Sequence, residues 1–307
     1  MSDDRQRFSS PPPAEPAGAP AIFDRRRLRI RLARAASGPE CGNFLVDRAA
    51  ADMADRLAAV QRTFEAAVVL DAGGGFAADL QASGKARWLA RGGLAATPGE
   101  LPVFVADEEH LPLGPQTVDL VASLFTLHFV NDLPGALVQV RHALKPDGLF
   151  VAAMLGGETL IELRTALIAA EAEAAGGAAP RVAPFVDVRT AGDLLMRAGF
   201  ALPVADSDRL TARYENLPAL FEDLAALGLR NVPAGPPVPL RRSTIARADA
   251  LYREMFAAPD GRLPATFEIV HVAGWAPHPS QQKPLRPGSA AARLADALGV
   301  DEHRLKR

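Results

Sequence analysis

Residues 68–77 read Val-Val-Leu-Asp-Ala-Gly-Gly-Gly-Phe-Ala, an apolar run that ends in a carboxylate and is followed by three glycines. This order predicts a buried parallel strand, a tight turn and the start of a helix. The glycines let a ligand approach bare backbone, and a helix N-terminus presents unpaired N–H groups. Asp71 ends the strand, where it can bind a ligand or hold the loop. Alone, the stretch fits a ligand-free turn equally well.

Composition restricts the class of protein. The chain has 307 residues, is 49% hydrophobic and carries a net charge of −2, which predicts a large core and no general attraction to nucleic acid. Its single cysteine, Cys41, argues against an internal disulfide or a cysteine-rich metal site. No apolar run approaches the roughly 20 residues of a transmembrane helix, and the first residues lack the apolar core of a secretory signal. We therefore predict a soluble, cytoplasmic protein.

We predict one folded domain over residues 22–298, between a Pro-rich disordered tail (1–21) and a charged tail (299–307). Its first part, 22–64, is expected to form a helical lid. Six arginines between Arg25 and Arg34 make either a surface for an acidic partner or a solvated helix face. Residues 65–155 form the expected donor-binding half and 156–298 the acceptor-side half.

Apolar runs and helical stripes alternate through the middle of the chain. Strands are predicted near 68–71, 86–90, 101–105, 118–125 and 149–154, and a last one at 266–273. Residues 202–214 are expected to form one or two further strands. A Pro-Gly turn at 145–148 should separate a helix from the strand after it. Helices are predicted near 76–83, 136–144, 159–175, 190–198, 217–227 and 246–257. This alternation predicts an open α/β sheet with helices on both faces and a site at the carboxyl ends of its strands.

The sequence contains several longer motifs besides the glycine turn. They are Ala106-Asp107-Glu108-Glu109-His110-Leu111-Pro112, Leu144-Lys145-Pro146-Asp147-Gly148, Ile22-Phe23-Asp24-Arg25, the run 127–134 (Leu-His-Phe-Val-Asn-Asp-Leu-Pro), 156–160 (Gly-Gly-Glu-Thr-Leu), 252–255 (Tyr-Arg-Glu-Met) and 274–284 (Gly-Trp-Ala-Pro-His-Pro-Ser-Gln-Gln-Lys-Pro). With residues 69–75, the first two resemble class I S-adenosylmethionine-dependent methyltransferases. The others are similar to the group of the mitochondrial complex I assembly factor of arginine-hydroxylase type and its alphaproteobacterial relatives. That group is itself similar to the biotin-pathway malonyl-carrier-protein methyltransferase.

The resemblance implies a Rossmann-like fold with a seven-stranded, mostly parallel sheet whose last strand is antiparallel. It implies S-adenosylmethionine as the cofactor, lying over the glycine turn. The implied cofactor-binding residues are Asp71, Gly73, Gly75, Asp107, Glu108, Ser123 and Leu124. From spacing alone, Asp107 and Glu108 fit a solvated acidic loop equally well.

Two positions depart from the family pattern. Ala77 replaces the third glycine of the donor loop, a change of one methyl group. No acid lies between Leu80 and Glu100 to bind the ribose hydroxyls, and Arg91 is near the expected place. A hydrogen bond to a charged group is worth roughly 1.5–3 kcal/mol, so its loss would weaken donor binding by about one to two decades.

Three functions stay open from the sequence. The first is methyl transfer to a small molecule or a protein side chain, which needs mainly positioning; His128 and Asp132 are the candidate bases, with packing and helix capping as their structural alternatives. The second is arginine hydroxylation of a respiratory complex I subunit. The third is a non-catalytic assembly factor on a decayed methyltransferase fold. The scattered histidines have no metal-ligand spacing, so we predict no metal site.

Overall fold

The computed structural model describes residues 21–36, 44–71, 75–95, 99–236 and 238–281. Residues 1–20 of the predicted N-terminal tail (1–21), the whole predicted C-terminal tail (299–307) and the predicted donor residue Gly73 lie outside this part of the chain. The helices are α1 (Arg25–Ala36), α2 (Phe44–Ala59), α3 (Phe76–Ala82), α4 (Leu133–Ala143), α5 (Ile161–Ala175), α6 (Val188–Arg197), α7 (Leu217–Ala226) and α8 (Arg242–Phe256). The strands are β1 (Phe64–Asp71), β2 (Ala86–Gly93), β3 (Val103–Val105), β4 (Val118–Leu124), β5 (Leu144–Leu155), β6 (Ala201–Tyr214) and β7 (Leu263–Trp275).

The seven strands form one sheet in the order β3-β2-β1-β4-β5-β7-β6. Strands β1 to β5 pair in parallel, and β7 pairs antiparallel with both β5 and β6. This confirms the predicted mostly parallel sheet and its antiparallel last strand. The strand order places β1 at the centre of the parallel part, so its carboxyl end at Asp71 lies between those of β2 and β4.

Helices cover both faces of the sheet, which explains why β1 and β4 are apolar along most of their length. One face packs against α2, α3, α5, α7 and α8, with Met53, Leu163 and Tyr252 among the buried residues. The other face packs against α4 and α6 through residues such as Val140 and Leu195. The prediction of helices on both faces is therefore confirmed.

One strand boundary differs from the sequence prediction, and the structure decides whether residues 202–214 form one strand or two. The Pro-Gly turn predicted at 145–148 lies inside β5, as an irregularity of the strand. Val118 pairs with Leu144 and Leu120 pairs with Leu149, so four residues of β5 lie between two pairs that only one residue of β4 separates. Asp147 takes a positive φ of 62° there. Strand β6 is one continuous strand because it pairs with β7 from Ala201 to Tyr214. Pairing with a neighbour, which local patterns do not encode, decided both points.

Asp119 joins β4 to its two neighbours. Its carboxylate is buried, accepts the Ala66 backbone N–H of β1 at 3.0 Å, and pairs with Lys145 Nζ of β5 at 3.0 Å. Arg62 lies 3.9 Å away. The acid therefore satisfies a backbone donor and compensates a positive charge at the same point of the sheet.

We expect Asp119→Ala to lower the free energy of unfolding by about 2–4 kcal/mol, because a backbone donor and the Lys145 charge both lose their partner. Urea denaturation followed by circular dichroism measures the change. Glu65→Ala is the matched control: Glu65 pairs with Arg87 on the exposed surface, with side-chain exposures of 60% and 70%, and it should change stability by less than about 1 kcal/mol. Equal losses in the two variants would contradict the assignment.

Candidate donor-binding site

The carboxyl ends of four parallel strands meet at one edge of the sheet. β1 ends at Asp71, β2 at Gly93, β3 at Val105 and β4 at Leu124. In the sheet register, Asp71 of β1 lies opposite Leu124 of β4, and Gly93 of β2 lies opposite Val105 of β3. The edge of an open parallel sheet, outside the strand ends, is where such folds bind ligands.

Asp71 at the centre of this edge is paired with an arginine. Arg91 Nε of β2 donates to Asp71 Oδ1 at 2.6 Å, and the side-chain exposures are 16% for Arg91 and 0% for Asp71. The parallel register places Arg91 opposite Val69, two residues before Asp71. The sequence showed Arg91 near the place of the family's ribose-binding acid, but not that its charge compensates Asp71.

The end of β2 has little room for a side chain. A Cβ added at Gly93 would lie 2.6 Å from the backbone oxygen of Asp71, and one at Gly92 would lie 2.7 Å from the Phe104 ring. An acid at either position would therefore require the backbone or the Phe104 ring to move. Close packing of β2 against β1 and β3 gives a physical reason for the missing acid.

Three further residues of the expected donor site, Gly75, Ser123 and Leu124, belong to the described parts of the chain. Gly75 directly precedes α3, with φ of −85°, and its carbonyl accepts the Asp79 N–H at 2.9 Å. At the end of β4, Ser123 and Leu124 are buried, and Ser123 Oγ lies 2.8 Å from Thr126 Oγ1. The next residue, Phe125, has φ of 54°. Such backbone strain in a non-glycine residue often marks a functional loop.

The acidic pair after β3 is bound by the first residue of α1. Arg25 Nη2 donates to Asp107 Oδ1 at 2.7 Å and also to Glu108 Oε2, and Arg25 Nη1 donates to the Phe129 carbonyl at 3.3 Å. The Glu108 side chain is only 1% exposed, whereas that of Asp107 is 34% exposed. Glu108 is therefore buried against Arg25, and Asp107 is the acid that stays accessible.

Asn131 ties the same N-terminal segment to the loop after β4. Its Oδ1 accepts the backbone N–H groups of Ile22 and Phe23 at 2.7 and 2.8 Å. Its own backbone N–H donates to Glu109 Oε1 at 2.6 Å. Two motifs that the sequence showed separately, residues 22–25 and 127–134, thus meet over the third acid of residues 107–109. A basic helix start and three consecutive acids were the available signal, and the sequence analysis did not pair them.

Burial and charge act in opposite directions on the Arg25 contact. Burial raises the pKa of the Glu108 carboxyl above its ordinary value, although the nearby charge and hydrogen bond of Arg25 lower it. Burial also lowers the pKa of Arg25, but Glu108 and Asp107 outweigh it, so the net shift is upward. Arg25 is therefore what makes a charged Glu108 tolerable in this position.

Both candidate bases have structural surroundings that account for them. His128 is buried among Phe125, Phe129 and Phe185, and its Nδ1 has no hydrogen-bond partner. Burial and the Arg25 charge lower its pKa to about 3, so the ring is neutral at physiological pH and a weak base. Asp132 caps α4 by accepting the Gly135 N–H at 2.8 Å. Catalytic roles for these two residues stay predictions.

The described residues contain no group of three His, Cys, Asp or Glu side chains placed to hold a metal ion. None of the helices in the described ranges is long and apolar enough to cross a bilayer.

The chain is similar to several known proteins. The family described as "Methyltransferase domain" matches residues 57–152, which run from the end of α2 into β5. Mouse "Arginine-hydroxylase NDUFAF5, mitochondrial" is 39% identical over 294 residues, covering 92% of this chain and 85% of the mouse protein. The human protein of that name is 40% identical over 285 residues, covering 90% and 83%. "Malonyl-[acyl-carrier protein] O-methyltransferase" from Laribacter hongkongensis is 32% identical over 288 residues, covering 86% and 94%.

Solved structures show the same fold. A candidate methyltransferase from Bacillus halodurans superposes with a TM-score of 0.51 at 14% identity, covering 75% of this chain and 99% of the other. The YcgJ protein from Bacillus subtilis gives 0.50 at 13% identity, covering 74% and 99%. At these identities the likeness concerns the fold alone, and it confirms the Rossmann-like methyltransferase architecture expected from the sequence.

We expect Arg25→Met to lower the free energy of unfolding at pH 7 by about 3–5 kcal/mol, because it leaves Glu108 buried without a counter-charge. The loss should grow with pH. A raised folded-state pKa means that the folded protein gives up the Glu108 proton at higher pH than the unfolded chain, so stability falls as pH rises from the ordinary pKa to the raised one. Urea unfolding between pH 4 and 8 measures this dependence.

The double variant Arg25→Met/Glu108→Gln is the control for this contact. It removes the buried charge, so most of the stability and the flatter pH profile should return. A double variant as unstable and as pH-dependent as Arg25→Met would show that Glu108 is not the group responsible.

Proposed function

This chain belongs to the methyltransferase-domain family that includes the mitochondrial arginine-hydroxylases NDUFAF5, and from that premise we propose that it binds S-adenosylmethionine and transfers the methyl group to an acceptor. The observation that carries the proposal is the set of polar side chains at the matched strand ends. Asp71 is the last residue of β1 and directly precedes the glycine-rich segment in sequence, and Asp107 comes two residues after the end of β3. We propose Asp71, Gly73, Gly75, Asp107, Glu108, Ser123 and Leu124 as the residues that surround the donor.

Arg91 is proposed to take the place of the missing ribose acid. Its Nε binds Asp71, and the two terminal nitrogens make no hydrogen bond within the described part of the chain. Ribose hydroxyls accept hydrogen bonds as well as donate them, so a guanidinium can hold them where the family uses a carboxylate. In this arrangement the protein would donate a hydrogen bond to the ribose, whereas the carboxylate of the family pattern accepts one from it.

The adenine side fits in a similar way. Asp107 Oδ1 accepts both Arg25 Nη2 and the Glu109 N–H. Its second oxygen, Oδ2, has no partner among the described residues, and the side chain is partly exposed. That oxygen is proposed to accept the adenine amino group. Glu108 is already buried against Arg25, so its proposed role is to hold the arginine rather than to touch the donor.

The bound donor would supply a methyl group on a positively charged sulfur. The protein's part is to orient donor and acceptor and to exclude water, because methyl transfer is a direct displacement. The neutral ring of His128 packs against Phe129 and Phe185 after the end of β4, and these buried aromatic rings are proposed to exclude water from the site. A proton needs to be removed only from acceptors that carry one on the attacking atom.

A second function is favoured by one comparison. Similarity to the NDUFAF5 arginine-hydroxylases, 37–40% over most of the chain, is higher than the 31–34% found for the malonyl-carrier-protein methyltransferases. We therefore keep arginine hydroxylation and assembly of respiratory complex I as the alternative, with a complex I subunit as the partner. A non-catalytic assembly role is the third reading. The names of those relatives place them in mitochondria, and the cytoplasm stays our proposal for this chain.

Calorimetric titration tests donor binding. We expect S-adenosylmethionine to bind with a Kd below roughly 100 μM. Arg91→Lys should weaken this binding by about tenfold or more, because lysine keeps the positive charge but lacks the planar guanidinium with its two terminal nitrogens. Arg87→Lys is the matched control, since Arg87 lies on the same strand with its side chain 70% exposed. No heat of binding in the millimolar range would contradict the donor proposal.

Mass spectrometry of a candidate partner separates the functions. The protein is incubated with complex I subunits and S-adenosylmethionine, and the modified residues are located in peptide digests. Methyl transfer predicts a mass increase of one CH₂ that requires the donor. Hydroxylation converts a C–H bond into C–OH, so a parallel incubation supplies O₂ and a two-electron donor, and the second oxygen atom leaves as water. A gain of one oxygen atom on an arginine that depends on these co-reactants would favour hydroxylation, and capture of a subunit without any mass change would favour the assembly role.

A further inference from the structure

A cavity lies between α5, α7 and residues 181–185, and none of the described residues of the proposed donor site lines it. Its volume is about 420 Å³, within the range of roughly 300–1,000 Å³ typical of small-molecule sites. Apolar side chains of α5 and α7 line it, among them Leu163, Leu167, Phe221 and Leu224. Phe185 is also part of the lining and contacts the ring of His128, with centroids 5.8 Å apart. One aromatic layer therefore connects the cavity to the loop that follows β4.

The polar part of the lining has one sign of charge. Among the described residues it contains Arg31, Arg181 and Arg230 and no aspartate or glutamate. Arg181 is compensated from outside the cavity, because its Nε and Nη2 donate to Glu171 Oε1 at 2.9 and 2.5 Å. The other two arginines have no carboxylate partner in the described ranges.

Arg31 and Arg230 are held close together by backbone oxygens. Arg31 Nη1 donates to the carbonyls of Arg230 and Asn231 at 2.9 and 2.6 Å, and Arg230 Nη2 donates to the Phe221 carbonyl at 3.1 Å. Burial, followed by the charges of Arg230, Arg27 and Arg34, lowers the pKa of Arg31. Arg31 is partly buried and Arg230 is exposed. Two guanidinium groups therefore lie beside an apolar cavity with no carboxylate partner among the described residues.

An anion would relieve this arrangement. Guanidinium groups bind carboxylates and phosphates through charge-assisted hydrogen bonds, while the apolar walls favour burial of a hydrocarbon chain. We propose that this cavity binds a small molecule with an apolar chain and a terminal carboxylate or phosphate, held by Arg31 and Arg230. The same charges repel a guanidinium or ammonium group, so an arginine side chain is excluded from this cavity as a ligand.

The inference concerns ligand binding and is independent of methyl transfer, since Arg31 and Arg230 are not among the proposed donor residues. The test is a calorimetric titration of the full chain with octanoate and with octyl phosphate, whose relative affinities identify the preferred head group. Three further probes test the head group. Octylamine has the same apolar chain with a positive charge, octanol has the same chain without charge, and N-acetylarginine amide presents a guanidinium. We expect both anions to bind. Octanol should bind at least about tenfold more weakly than octanoate, and the two cations should show no binding.

Variants locate the site. In Arg31→Gln/Arg230→Gln, affinity for octanoate should fall by about tenfold or more, because each lost charge-assisted hydrogen bond is worth about that much. Arg29→Gln is the matched control, since Arg29 lies on the same helix, is exposed and does not line the cavity. Ile245→Trp, at the partly exposed border of the cavity, should block octanoate by filling space.

Octanoate affinity that is unchanged in both the double variant and Ile245→Trp would overturn the proposal, and so would equal binding of octanoate and octylamine to the unmodified protein. The wild-type comparison of head groups keeps the test valid if the arginine variants fold poorly. S-adenosylmethionine binding is measured in the same variants and should not change, so failure of the two proposals can be told apart.

Discussion

The guanidinium of Arg25 bonds to acids 82 and 83 positions further along the chain. Burying Glu108 is costly unless a positive charge accompanies it, and in the described structure that charge comes from the first residue of α1. The contact holds the first residue of α1 against the loop after β3. On the same segment, Phe23 packs against Phe129 with ring centroids 5.4 Å apart, and Arg31, about two turns along the helix, lines the cavity between α5 and α7. One ion pair therefore connects both candidate sites to the same N-terminal helix.

A second ion pair shapes the centre of the sheet edge. In the family pattern an acid at the end of β2 stands near the acid of β1, and here Arg91 reverses the sign of that charge. Arg91 compensates the charge of Asp71, and the absence of side chains at Gly92 and Gly93 leaves room for β2 to pack closely against its neighbours. Under the proposed function, Arg91 supplies a hydrogen-bond donor where the family pattern has an acceptor.

Much of the fold could be predicted because it depends on local patterns. The apolar run at 68–70, the glycine turn and the alternation of strands with helical stripes were sufficient for a parallel sheet, and the resemblance supplied the antiparallel β7. Boundaries failed where pairing decided them, as in the irregularity around Asp147. The contacts of the candidate site were less accessible. Arg25 with Glu108, and Arg91 with Asp71, depend on strand order and register, which bring together residues that no sequence motif links.

We propose that a donor binds between the Arg91–Asp71 pair and the Asp107 loop without displacing the N-terminal segment. Hydrogen–deuterium exchange of the full chain, with and without saturating S-adenosylhomocysteine, tests this proposal. We expect slower exchange in peptides covering residues 68–71, 91–93 and 105–109, and unchanged exchange in residues 22–31. Faster exchange in 22–31 on ligand binding, or protection confined to other parts of the chain, would contradict it.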